Sequence, residues 1–598
     1  MTMSLADSLQ QIYSLYQKKQ FARAQAALRP IMARHANSPD AWRLAGMLGR
    51  ATGQRDQAEH ALRYALSLQK NHPETLNTLG SLMRDQLREF EAEGLYRTAL
   101  DHAPQHTAVK TNLCRLLLAQ QRPLEVIRLT QDLASQGPPA LWRLRGEALL
   151  TMGRAELALI AFDRSLALEP ASATGMQGWV RSLFELGKIA DGAAVAEAHA
   201  AGNVGFAVLL VRALMEQGKW SQATELARAT AARDPNAPNA CFVAAQLLWM
   251  QGETAALEDL LQNAVAQAAG PGPLLTCAEI RRSMGDTGAA HALVDLCESR
   301  FGASTQAACV RNNTALEEGN LALALKAGER AYQLGEQDIR CRASFVQSLL
   351  VNGAAERALP IIEETLGKAP QHQLWLALWR DGLRQLDDER QAWLMDYDKM
   401  VGSIRLQTPP GYTDLAEFNR ALAEVLRPLH QAKHHPLDQS LLQGSQTSMD
   451  LRFIDSPVIR RFMDSVGQAI KGFVSAMPDD NTHPLYCRKD TLAAPTAMWS
   501  VRLEPTGRHV NHIHSQGWLS SAYYVDLPPD DASDPRAGSL QLGEPRYPTP
   551  GTAVERTVPA EAGNLVLFPS YAWHGTVPAR TGTRLSIAFD ITPQSELR

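Results

Sequence analysis

A chain of 598 residues is too long for one compact core, and 45% hydrophobic with 20% charged residues is the composition of an ordinary soluble globular protein. The net charge of −4 gives nucleic-acid binding no support, and no apolar run approaches the ~20 residues that span a bilayer. The opening Met-Thr-Met-Ser-Leu-Ala-Asp lacks both parts of a signal peptide, and the seven cysteines are scattered without a Cys-x-x-Cys pair; buried thiols, a reducing compartment and a cytoplasmic location are expected.

The first signal along the chain is periodic. Gly153 and Gly187 lie 34 residues apart, and Gly218, Gly252, Gly285, Gly319 and Gly353 follow one another at 33 or 34. Five residues after most of these glycines stands an alanine (Ala158, Ala223, Ala290, Ala324, Ala358), replaced once by Leu257. Prolines such as Pro104, Pro138, Pro170, Pro235 and Pro370 close units. Each unit reads as helix, turn and antiparallel helix. Glycine supplies the left-handed residue past the first helix, alanine lets the second helix approach closely, and proline stops it. A generic helical bundle has no reason to hold this phase for so long. The unit Pro139–Ser172, with Trp142, Gly146, Gly153, Ala158, Phe162 and Pro170, resembles a tetratricopeptide repeat, and residues 5–372 resemble an array of roughly ten. The resemblance implies an all-α superhelix whose concave surface holds a protein or peptide. The histidines of this region occur singly and suggest no chemistry.

Residues 373–410 keep a helical pattern but lose the repeat. Trp375, Trp379 and Trp393 suggest helices that cap the array, and the stretch LQTPPGY, Leu406–Tyr412, reads as a linker. A helix is expected over Thr413–Gln431. The dipeptide His434-His435 comes next; adjacent side chains diverge and Pro436 follows, so a surface loop is expected rather than a metal site.

Residues 411–598 change character. A helix near 455–476 precedes short alternating segments at 497–505, 519–528, 538–544, 563–570 and 583–591, which read as the strands of a sandwich or barrel. Within them, His512 and His514 stand two apart, so their side chains share a strand face and can ligate one ion. His509 is out of phase with them. A third ligand must come from elsewhere, and His574, in a short turn after the strand GNLVLFPS, is well placed. Three ligands on one face of an octahedron leave positions for a cosubstrate and oxygen. Ten residues after His574 comes Arg584, with Ser586 on the same face; a guanidinium and a hydroxyl so spaced can clamp a carboxylate.

The segments PLDQSLLQGSQTS (436–448), HIHSQGWLSSAYYVDLP (512–528), GNLVLFPSYAWHGTVP (563–578) and RLSIAFD (584–590) resemble the Fe(II)- and 2-oxoglutarate-dependent oxygenases of the double-stranded β-helix fold. The resemblance is closest to a bacterial group that often follows tetratricopeptide repeats. It implies a jelly-roll with flanking helices, iron on His512, His514 and His574, and the distal carboxylate of 2-oxoglutarate on Arg584 and Ser586. Tyr524 or Arg502 would line the same pocket. Two features depart from the pattern. His514 stands where the wider superfamily keeps an acid, and Ser520-Ser521 replaces the usual Ser-Gly. Glu504, Asp526, Asp530, Asp531 and Asp590 are alternative carboxylates, and none displaces His514. Hydroxylation of a protein or peptide is expected. A tetratricopeptide interaction scaffold with an inactive or differently metallated barrel, and an oxygenase of a small molecule, are the alternatives.

Overall fold

The computed structural model describes residues 4–134, 136–437, 439–528 and 534–594; Asp530 and Asp531 lie outside them. From Leu5 to Lys368 the described residues form eleven antiparallel helix pairs. Proline opens many of the first helices, as in Pro39–Ala51, Pro73–Asp85 and Pro238–Gln251, where its fixed φ suits the first turn and its missing N–H is not needed. Gly153, Gly187, Gly218, Gly252, Gly319 and Gly353 each turn the chain with φ between 69° and 74°. Lys19, Leu87 and Gln121 take the same left-handed turn, with φ 56–60°, without a glycine.

Among the described residues the C-terminal domain is built on nine strands, β1 (Gly402–Arg405), β2 (Leu441–Gln446), β3 (Ala494–His509), β4 (Leu519–Asp526), β5 (Leu540–Leu542), β6 (Arg556–Val558), β7 (Asn564–Pro569), β8 (His574–Thr576) and β9 (Arg584–Thr592). Six form an antiparallel sheet in the order β1-β7-β4-β9-β3-β2, and three form a second, β6-β5-β8. This is the expected jelly-roll. Two helices, Leu415–Leu426 and Pro457–Ala476, cover the outer face of the large sheet. There Phe462 packs on Tyr523, and the Tyr523 hydroxyl donates to Asn419 at 2.6 Å. The first of these helices stops short of the expected Gln431, with a 3-10 turn at Arg427–Leu429 that contains Pro428.

Residues 373–410 do more than cap the repeats. The helix Gln373–Gln385 presents Trp375 to the last repeat and Leu376 to the barrel core. Leu394, Met395, Met400 and Leu406 join that core, and Gly402–Arg405 adds an edge strand beside β7.

The barrel sits along the turns of the repeats. Thr496 lies against Gly153 and Phe453 against Gly187, where any added side chain would collide. Lys433 N–H and His434 N–H both donate to the Met250 carbonyl, and Trp249 Nε1 donates to the His435 carbonyl. His434-His435 is therefore a strap tied to the repeats rather than a free surface loop. The array also returns on itself. Phe90 lies under Arg342 (4.8 Å) and Lys368 (3.2 Å), and Glu91 N–H donates to Gln337 Oε1 at 3.0 Å.

Candidate metal centre

The inner face of the large sheet carries the chemistry. On β9 the period-two alternation puts Arg584, Ser586, Ala588 and Asp590 on one face, all lining a cavity of about 1000 Å3. Register sets Ser586 opposite Val501 on β3 and opposite Tyr524 on β4. The segment after β3 then runs beside β8. His512 N–H donates to the His574 carbonyl at 2.9 Å and His574 N–H returns to His512 at 3.0 Å, which fixes the two residues side by side. His574 thus opens a strand where a turn was expected. His514 N–H donates to the Ser570 carbonyl at 3.0 Å, holding the third histidine on the same ridge.

The three imidazoles converge. One nitrogen from each of His512, His514 and His574 lies within 4.8 Å of the others, and Nε2 of His512 and Nε2 of His514 are 3.3 Å apart. Nitrogens about 2.1 Å from one ion and at right angles stand roughly 3 Å apart, so the spacing fits a shared metal. Each Nδ1 faces an oxygen acceptor: the Val510 carbonyl for His512 (2.9 Å), the Ala572 carbonyl for His574 (3.0 Å) and Asp590 Oδ1 for His514 (2.5 Å). These acceptors assign the proton to Nδ1 in all three rings and leave each Nε2 lone pair free. Burial, with the charge of neighbouring imidazoles, holds His512 and His574 well below the ordinary histidine range. Burial also pulls on His514, but the charge and hydrogen bond of Asp590 outweigh it and raise that ring. Phe568 meets His574 edge-on and Trp499 stacks on His514, completing an apolar collar.

Beside this cluster Arg584 is 4% exposed. Its Nη1 donates to the Gly538 carbonyl at 2.8 Å, its Nε has no partner, and no carboxylate pairs with it among the described residues. Tyr524 lies beneath the guanidinium, 4.8 Å from its carbon to the ring centre, and its buried hydroxyl is also unpartnered. Burial lowers the Arg584 pKa and raises that of Tyr524. An unpaired buried cation on the cavity wall, backed by an unpaired phenol, forms a place for an anion. A dicarboxylic keto-acid that reaches the metal with one end fits this pair of features.

The expected residues are not all brought together. His512, His514, His574, Arg584 and Ser586 line the cavity, and Tyr524 lies behind them against the Arg584 guanidinium. Arg502 does not: Val501 and Leu503 face inward, so Arg502 points outward and pairs with Glu504 at 3.1 Å. His509 stays outside the cluster, its Nδ1 3.0 Å from Ser440 Oγ and its ring stacked on His512. Burial, Arg584 and His514 push its pKa down to about 3. Asp526 has a half-exposed side chain and pairs with Arg427. Sequence reasoning missed the outer wall. Trp249, Glu279, Arg282 and Met284 of the repeats line the same cavity. Arg282 (3.2 Å) and Arg546 (2.7 Å) both reach Glu317, tying the barrel to that wall.

Comparison with known proteins agrees with this geometry. Residues 497–590 match the family model described as "Putative 2OG-Fe(II) oxygenase", and residues 208–272 match a tetratricopeptide-repeat model. No curated protein matches the sequence. Among solved structures the chain is similar to PilF of Pseudomonas aeruginosa (16% identity, 40% of this chain and 94% of that one, TM-score 0.26). It is also similar to a tetratricopeptide repeat protein of Parabacteroides merdae (14%, 52% and 98%, TM-score 0.28) and to the Naa15/Naa10 structure bound to HypK-THB (14%, 70% and 70%, TM-score 0.22). Scores this low leave the reading to the chain's own repeats and site. The chain joins an array of helical repeats that matches the tetratricopeptide model to a domain that matches the "Putative 2OG-Fe(II) oxygenase" model.

Proposed function

We propose that this protein is an iron(II)- and 2-oxoglutarate-dependent dioxygenase that hydroxylates a protein or peptide segment admitted between the barrel and the repeats. The observation that carries the reading is the pairing of three convergent imidazole nitrogens with a buried arginine that has no anion of its own among the described residues. When bound, iron(II) with 2-oxoglutarate and oxygen supplies oxidative decarboxylation to succinate and CO2, coupled to insertion of one oxygen atom into a C–H bond. The chain's part is to hold and to exclude. His512, His514 and His574 offer the metal three nitrogens, with each ring locked by its Nδ1 partner. Arg584 and Ser586 offer a cation and a hydroxyl to the far carboxylate, and Tyr524 backs the guanidinium. The repeat wall makes the cavity a chamber, so a segment reaching the metal also touches Trp249, Glu279 and Arg282.

The test is metal analysis of the purified chain, followed by a succinate-release assay over a peptide pool and a metabolite pool. Iron retention with 2-oxoglutarate-dependent succinate release driven by peptides is the expected result. Release driven only by small metabolites would reassign the substrate class. Absence of both iron and succinate would leave a repeat scaffold with an inactive barrel.

A further inference from the structure

The missing acid of the site has a structural counterpart. Of the three Nδ1 acceptors, two are backbone carbonyls and one is a carboxylate. The charged contact is also the shortest, 2.5 Å against 2.9 and 3.0 Å. Asp590 is held for this contact. It lies on the inner face of β9 opposite Ser520, whose hydroxyl donates to the same Oδ1 at 3.1 Å, and its ion-pair partner among the described residues is His514. Ser520 in turn shares a 2.9 Å hydrogen bond with Ser570, the residue whose carbonyl anchors His514. One small network therefore fixes both the ring and the charge behind it.

We infer that His514 and Asp590 act together as one anionic ligand, the carboxylate that a two-histidine, one-carboxylate site carries on the metal being held here one residue further out. The inference rests on the iron reading above. A divalent ion with three neutral imidazoles and one carboxylate in contact has the same formal charge as the usual facial triad. The carboxylate draws the Nδ1 proton and makes Nε2 a stronger donor, as outer partners of ligating histidines do. Asp590 is a positioning residue: it acts through His514.

The test is titration of the full chain with cobalt(II), alongside Asp590→Asn and the double variant His514→Asp/Asp590→Asn. Asparagine keeps an oxygen for Nδ1 and keeps the shape, and removes only the charge. Cobalt affinity is expected to fall about 10- to 100-fold in Asp590→Asn and to recover in the double variant, which returns a carboxylate to the ligand position. An Asp590→Asn chain that binds cobalt within about twofold of wild type overturns the inference. So does a loss that the double variant does not recover, since Asp590 would then only orient the ring. If Asp590→Asn fails to fold, the zinc-loaded wild-type chain decides by NMR. The Nδ1 proton of His514 is expected well downfield of those of His512 and His574, and equal shifts overturn the inference. A wild-type chain that binds neither ion brings down the metal reading itself, and this inference with it.

Discussion

A guanidinium taken out of water without an anion beside it costs several kcal/mol, and Arg584 stands in that position with its Nε unpartnered. Arg584→Ala should therefore act in two directions. The empty chain loses a buried charge and melts no lower than wild type. Affinity for 2-oxoglutarate falls, because a charge-assisted hydrogen bond contributes about 1.5–3 kcal/mol, or roughly 10- to 150-fold. Metal affinity stays, because the three histidines are locked by Val510, Ala572 and Asp590 rather than by Arg584. Calorimetric titration of the manganese-loaded variant with 2-oxoglutarate checks this, and loss of the metal would refute the division of roles. At this scale the site was largely legible, since two-residue phase alone pairs His512 with His514 and Arg584 with Ser586. The same rule, applied to β3 with Val501 and Leu503 inward, would have excluded Arg502. The role of Asp590 was out of reach, because it depends on a contact 76 residues away in sequence.

Between the residue and the whole lies the helix Gln373–Gln385, which serves both halves of the molecule. Its Asp381 is 1% exposed and accepts from Trp573 Nε1 at 2.8 Å, fixing the residue next to His574. Burial, against Trp573 and two nearby arginines, pushes the Asp381 carboxyl up from 3.8 to about 7. A raised pKa means that the folded chain prefers the proton. The stability linked to it is fully present below the unfolded value of 3.8 and is lost as pH rises through about 7. Asp381→Asn keeps an acceptor for Trp573 and removes the buried charge. Its melting temperature should match wild type near pH 4 and exceed it above pH 7, where the difference in stability is on the order of a few kcal/mol. Parallel melting curves at the two pH values would contradict this. Sequence reading saw this helix but gave it one face. Strands β6 and β8, three residues each, are too short for alternation to register, whereas β5 falls within the segment read at 538–544. The repeat turns at Lys19, Leu87 and Gln121 lack the glycine that marks the others, although the backbone there turns the same way.

Taken as a whole, the solenoid and the barrel share walls, so the boundary between them is not the one a linker would make. The apolar core of the barrel includes Leu376, Ala377, Leu394 and Met400, and the Tyr571 hydroxyl donates to the Leu394 carbonyl at 2.7 Å. The edge of β7 is covered by β1, which lies before residue 411. A fragment of residues 411–598 would open that edge, vacate part of the core and release Trp573, leaving an unpaired apolar strand of the kind that aggregates. A fragment of residues 373–598 keeps all of these contacts and every metal-site residue, and loses the repeat wall of Trp249, Glu279, Arg282 and Met284. The longer fragment is therefore expected to stay soluble and to bind cobalt(II) within about tenfold of the full chain, and the shorter one to aggregate without binding it. Circular dichroism, gel filtration and cobalt titration of the two fragments test this. A shorter fragment that folds and binds cobalt as the full chain does would show that the barrel ends at the linker and that the helix Gln373–Gln385 belongs to the repeats alone. If the longer fragment binds metal and 2-oxoglutarate but no longer discriminates among peptides, selection of the substrate lies in the wall that only the solenoid provides.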